Sequence, residues 1–146
     1  IISNCQREEI GAIGAKLIYK NKRIQHAGVV LNLTGTAGHV NWNEKENNPG
    51  YFGRIMIQQN VSAVTGALLG VSKKVFEEVK GFDETFQISY NDVDFCLKIQ
   101  DTGKLITYNP YIVAYHYESQ SRGYEDTKEK VVVNRIYRKH YNSRKM

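Results

Sequence analysis

The chain has 146 residues, is 41% hydrophobic and 24% charged, and carries a formal net charge of +5. That length suits one domain, that composition excludes a disordered chain, and no apolar run approaches the roughly 20 residues of a membrane span. The charge is uneven: Lys128 to Met146 holds seven Lys/Arg against Glu129 alone, and the rest of the chain sums to −1. A basic tail of this kind suits either a solvated helix face or contact with phosphates, nucleic acid or an anionic membrane surface.

In chain order, "IGAIGAKLIY" (10–19) predicts a strand that ends at the turn "KNKR", and "IQHAGVVLNL" (24–33) predicts a second. The Gly- and Asn-rich stretch "TGTAGHVNWNEKENNPGYFGR" (34–54) reads as a long loop, which in a compact domain is uncommon and often functional or mobile. "VSAVTGALLGVS" (61–72) reads as a buried strand. "KKVFEEVKG" follows as a helix with Val75, Phe76 and Val79 on one face and Gly81 as its stop signal. "FDETF" (82–86) is a turn. Val93 to Thr102 predicts a second short helix closed by Gly103 at C′, with Val93, Cys96, Leu97 and Gln100 on one face and Phe95 and Ile99 widening the stripe. "KLITYNPYIVAYHYES" gives two strand-like pieces around Asn109-Pro110, and Asp126 to about Tyr141 reads as a last helix. Strands alternating with short helices, and few full βαβ units, imply an α/β domain with a mixed sheet and flanking helices.

Cys5 and Cys96 form neither a disulfide framework nor a zinc spacing, and Cys96 inside an apolar run reads as a small core residue. A reducing, cytoplasmic setting fits. The start "IISNCQREEI" has no signal-peptide order, and without an initiator Met the chain reads as a piece of something longer.

The residues most able to carry chemistry lie in "YNDVDFCLKIQDTG" (90–103). Asn91 or Asp92 suits the N-cap of the helix, with Asp94 in the first turn where the macrodipole favours an acid. The same placement would let a carboxylate facing a cleft act as a general base. Asp92 and Asp94 do not share a helix face, so a paired metal site there is disfavoured. His116, at a strand end with Glu118 on the same side, suits a hydrogen-bonded structural role or one ligand of a divalent metal. His26 and His39 are weaker candidates of the same kind. Gly66 in "VTGALLGV" offers close approach and Thr65 a hydroxyl. Trp42, Tyr51 and Phe52 flank the long loop and could pack against sugar rings. No dinucleotide or Walker-type phosphate loop is present, and no nucleic-acid recognition motif accompanies the basic tail.

The order of these pieces resembles family 2 nucleotide-sugar glycosyltransferases, through "IGAIGAKLIYKNKRIQHAGVVL", "GYFGR", "NVSAVTGALLGVSKKVFEEVKGFDETF" and "YNDVDFCLKIQDTGKLITYNPYIVAYHYESQSRG". The resemblance runs from about Ile10 to Gly123 and is to the C-terminal, acceptor-side half of a GT-A fold. It makes residues 1–146 a single partial domain, with the nucleotide-binding half and its Asp-x-Asp metal motif upstream. It implies transfer of a sugar from a nucleotide-sugar donor to a glycan or lipid-linked acceptor, with inversion, in polysaccharide or cell-surface glycan synthesis at the cytoplasmic face of a membrane. By resemblance Asp92 is the general base. Thr65, Gly66, Ala67, Asp83, Asn91 and Asp94 border the acceptor site, and His116 joins the metal or diphosphate site. The cation, Mn or Mg, would be held mostly by the upstream half. Two positions depart from the pattern: Lys80 replaces the first Gly of "Gly-Gly-Phe-Asp-Glu", and Asn91 stands where Glu is common. The rival reading is a non-catalytic carbohydrate-binding module.

Overall fold

The computed structural model describes residues 1–33, 36–84 and 90–117. The helix expected over Asp126 to Tyr141, the basic segment and Glu118 lie outside them. The described residues form a mixed α/β structure. Short helix α1 (Ile2–Cys5) precedes β1 (Ile10–Ile18), which is followed by β2 (Ile24–His26), β3 (Val29–Leu33), β4 (Thr36–His39), a 3-10 stretch (Tyr51–Met56) and β5 (Gln59–Asn60). A 3-10 turn (Gly66–Leu68), β6 (Leu69–Val71), α2 (Lys73–Glu78), α3 (Asn91–Asp101) and β7 (Leu105–Tyr115) complete the order.

The main sheet has the order β2-β1-β7-β5, with β6 also on β1. β1 and β7 run parallel along their whole lengths, from Ile10↔Leu105 to Ile18↔Tyr115. β6 and β2 therefore share the other edge of β1, pairing antiparallel with Ala12–Gly14 and with Leu17–Ile18. Every residue of β1 is buried, as expected for a central strand covered on both faces, and its near-continuous apolar run reflects that.

Four expectations change. "IQHAGVVLNL" is not one strand: it breaks after His26 into β2, on the main sheet, and β3, in a separate two-stranded sheet. "KLITYNPYIVAY" is one strand and not two: Ala15 pairs with Asn109 but the next β1 residue, Lys16, pairs with Val113, so residues 110–112 bulge out. The Asn109 side chain accepts the Tyr111 N–H at 2.9 Å and closes that bulge. Asn-Pro punctuates the strand without ending it. "VSAVTGALLGVS" is not one strand either. Thr65 Oγ1 accepts the Ala67 N–H at 3.4 Å and starts a 3-10 turn, leaving only Leu69–Val71 in the sheet. The Gly-rich loop is in part structured. β4 forms a hairpin with β3 through Val29↔His39 and Val30↔Gly38, a pairing set by register and not by apolar alternation.

Ser72 caps α2 by accepting the Val75 N–H at 3.3 Å. The helix ends in a Schellman arrangement: Lys80 N–H donates to Glu77 O (3.1 Å) and Gly81 N–H to Phe76 O (2.9 Å). Lys80 itself occupies the left-handed C′ position at φ 60°, and Gly81 follows at φ 64°. The expected stop at Gly81 thus falls one residue after the true C′, and glycine-favouring geometry is imposed on a lysine.

The core has two adjoining clusters. One packs Val93, Phe95, Leu97 and Ile99 of α3 with Val75 of α2, Val64 and Ile106. The other gathers Ile18, Ile24, Ala27, Val40, Ile55 and Tyr108 beneath the 40–56 segment. Burying a side chain such as Phe95 contributes about 1.5–3 kcal/mol. Phe82, just after α2, stacks on Phe95 with centroids 4.5 Å apart, so the loop that follows α2 is fastened to α3.

Candidate functional site

α3 begins at Asn91, two residues before the predicted start, and its N-cap is Tyr90 in the left-handed region (φ 64°) with no side-chain cap bond. The capping expectation for Asn91 and Asp92 is corrected accordingly: both are inside the helix. They still serve the orphan N–H groups of the first turn, Asn91 Oδ1 accepting from Asp92 N–H and Asp92 Oδ1 from Val93 N–H, each at 2.8 Å.

The remaining oxygen of Asp92, Oδ2, accepts the Gly66 N–H at 2.9 Å. This bond is the first rung of a ladder. Asp92, Cys96 and Gln100 lie four residues apart on one stripe of α3, about 6 Å per step. Cys96 Sγ accepts the Val64 N–H at 3.5 Å and faces Val64 O at 3.7 Å. Gln100 Nε2 donates to Val61 O at 3.3 Å and Ser62 O at 3.1 Å. The helix thus grips the 61–66 segment, which runs antiparallel to it, through three side chains bonded to backbone. Burial pushes the Cys96 thiol up to about 12, so it stays a neutral thiol in this ladder. On its other side the segment leans on β1, where a Cβ at Gly14 would lie 2.5 Å from Val64 Cβ.

Gly66 shows what approaches it. A Cβ there would meet Asp92 Cβ at an ordinary 3.5 Å and Asp92 Oδ2 at 3.9 Å, so Gly66 packs directly against the Asp92 side chain. Gly66 and Ala67 are exposed and Asp92 is half-buried, which leaves the carboxylate at an open rim. A carboxylate has about four lone-pair sites, and Asp92 uses two of them on Gly66 and Val93. It can accept a further hydrogen bond from outside. Thr65, Gly66, Ala67, Asn91 and Asp92 are therefore one cluster.

Asp94 and Asp83 are placed differently. Asp94 points inward, 5% exposed, with a carboxylate oxygen 3.8 Å from Lys98 Nζ. Lys98 in turn donates to Gly81 O at 2.6 Å. Asp83 is half-buried on the loop held by Phe82. Asp92 and Asp94 thus look in different directions, as the helical spacing requires.

His116 lies just past β7, its backbone N–H on Ile18 O at 3.0 Å and its ring on Gln25 of β2. Among the described residues no group of three or more His, Cys, Asp or Glu is placed to hold a metal ion. The other ring nitrogen of His116, Nε2, makes no hydrogen bond among the described residues.

The two weaker histidine candidates pair with each other: His26 Nδ1 and His39 Nδ1 are 2.8 Å apart. His26 Nε2 accepts the Gly28 N–H at 3.3 Å, so the Nδ1 proton belongs to His26 and is donated to His39. His26 is fully buried, and burial first, then the neighbouring His39, hold its pKa well below the ordinary 6.5. Trp42 Nε1 donates to Tyr19 at 3.1 Å, while Phe52 is 91% exposed beside Tyr51. Sequence reasoning missed Gln25 and Gln100 as site-building residues. Gln100 was legible as part of the α3 stripe; Gln25 had no local signal, because its partner is 91 positions away.

No family model matches the chain. It is 43% identical over 131 residues to the uncharacterized protein y4gI of Sinorhizobium fredii, a match covering 89% of this chain and 14% of that protein. It is 38% identical over 125 residues to the O-antigen biosynthesis protein RfbC of Myxococcus xanthus, covering 84% of this chain and 10% of that protein. The chain thus spans a seventh or less of the length of these curated relatives. Among the described residues no helix is long and apolar enough to cross a membrane.

Proposed function

We propose that this chain is the acceptor-side half of an inverting, family 2 nucleotide-sugar glycosyltransferase that works in cell-surface glycan synthesis. The observation that carries the reading is the Asp92 carboxylate. It is held at the start of α3 by two backbone N–H groups, sits at an open rim beside Thr65–Ala67, and keeps acceptor capacity on both oxygens. The relative named for O-antigen biosynthesis supports the biological setting.

In this reading an acceptor hydroxyl donates to Asp92. As its oxygen bonds to the anomeric carbon, the bond from that carbon to the nucleotide diphosphate breaks on the opposite face. The hydroxyl proton passes to the Asp92 carboxylate. Thr65 and Asn91 border the approaching sugar. The chemistry that a bound Mn or Mg ion supplies is neutralisation of the departing diphosphate, and from this chain His116 would be its ligand.

The test is Asp92→Asn in the full-length protein. Asparagine keeps an oxygen for the Gly66 N–H but is no base. Turnover is expected to fall by roughly 10²- to 10⁴-fold while nucleotide-sugar binding is retained. Near-normal turnover would sink the assignment.

A further inference from the structure

The 3-10 stretch Tyr51–Met56 holds an aromatic pair out into solvent. Phe52 is 91% exposed and Tyr51 78%, and their rings meet edge to face with centroids 4.6 Å apart. Phe52 sits in the left-handed region at φ 50°, ψ 32°, and Gly53 follows at φ 72°. That backbone is unfavourable for a bulky side chain, and the ring buries almost nothing in return. The foot of the tip is fixed. Gly50 N–H donates to Asn48 Oδ1 at 2.8 Å and Gly53 N–H to Gly50 O at 3.1 Å. Ile55 is fully buried, and its carbonyl accepts from the Tyr108 hydroxyl at 3.1 Å. A Cβ at Gly53 would meet nothing within 4 Å, so the tip is a held protrusion and not the wall of a groove. Met56 and Ile57, each half exposed or more, extend its apolar surface toward β5.

A bound sugar needs a free ring face and converging polar groups. Here the edge of one ring is turned onto the face of the other. A protein pocket must match a rigid convex shape; a fluid apolar phase need not. Charge points the same way. From Asn47 to Phe76 the sequence has no Asp or Glu, and Arg54 stands exposed beside the tip in a chain of net charge +5. Arg54 Nε donates to Gln59 Oε1 at 3.3 Å, and its terminal nitrogens have no partner among the described residues. Aromatic rings at the headgroup boundary, with a guanidinium at the phosphates, suit an anionic lipid surface. We propose that the Tyr51–Phe52 tip is a wedge that enters the interface of an anionic bilayer, with Arg54 on the lipid phosphates. The proposal does not depend on Asp92 being a base.

The experiment is co-sedimentation of the full-length protein with vesicles of phosphatidylcholine, with and without an equal part of phosphatidylglycerol, and thermal melting recorded alongside. Phe52→Asn is the deciding variant, because asparagine adopts the left-handed region more readily than phenylalanine and so keeps the fold while removing the wedge. It is expected to weaken binding to the anionic vesicles roughly 10-fold, with the melting temperature unchanged or raised. If it does not fold, Phe52→Gly takes its place with the same expectation. Arg54→Gln is expected to weaken binding to the anionic vesicles alone; no change there would overturn the phosphate contact. A wild-type protein that stays off the vesicles, or a folded Phe52 variant that binds them as wild type does, would overturn the wedge. So would a Phe52→Cys thiol that a maleimide cannot reach in the folded full-length protein, since another part of the polypeptide would then cover the tip. Saturation transfer to methyl β-D-glucopyranoside that needs Phe52, with vesicle binding that does not, would overturn it in favour of a glycan.

Discussion

The seam between α3 and the 61–66 segment and the histidine side around β2 are held by different kinds of bond. Along the seam, side chains of one helix grip the backbone of its neighbour: Asp92 on Gly66, Cys96 on Val64, Gln100 on Val61 and Ser62. On the histidine side, rings and amides hold one another: His26 on His39, Gln25 on His116. Backbone donors and acceptors do not titrate and cannot turn away. Imidazoles do both. The first arrangement fixes a carboxylate against any change short of moving the chain; the second depends on which ring nitrogen carries a proton.

The largest way to break the seam is to move its backbone. Gly14→Ala drives a Cβ to 2.5 Å from Val64, and denaturant melting is expected to show a loss of about 1–3 kcal/mol, as for other overpacked sites. A smaller effect separates the two regions by acid. The native pKa of His26 is below the ordinary 6.5, so the unfolded chain binds the extra proton first. Stability is complete above that ordinary value and declines as pH falls through it toward the native value, by about 1.4 kcal/mol per pH unit. Denaturant melts across that range measure the slope, which His26→Gln is expected to flatten; a wild-type profile already flat there would count against the buried neutral pair. The smallest effect sharpens the comparison from outside. Lys80→Gly relieves the left-handed lysine at the end of α2 and is expected to raise stability by under about 1 kcal/mol, with the acid slope unchanged. A melting temperature that fell would show that the Lys80 side chain matters more than its backbone strain.

Legibility followed the range of the physics. β1, α2 and α3 were readable because apolar spacing and Gly103, which does sit at C′ with φ 84°, are local signals. Asp92 and Asp94 were separable for the same reason: two residues on a helix look different ways. The Tyr90 cap was not readable, since a left-handed tyrosine has no propensity to announce it. Nor were the β3–β4 hairpin, where Gly38 and His39 pair by register, or the single β7, where three bulged residues absorb the Asn-Pro break. The site was legible as a list of residues around Asp92. Its construction, with Cys96 and Gln100 as rungs and Gln25 behind His116, needed the third dimension.

The parallel pairing of β1 and β7 has a consequence for how the molecule comes into being. Ile10 pairs with Leu105, 95 positions later, and everything that builds the Asp92 rim lies between them. Closing a loop of that length delays the reward for ordering it. A nascent chain that has not yet passed residue 115 holds a central strand with one edge bare, and a truncation before Leu105 leaves it so permanently. Maturation of the site is therefore a late event, tied to the arrival of the same strand that carries His116 at its end.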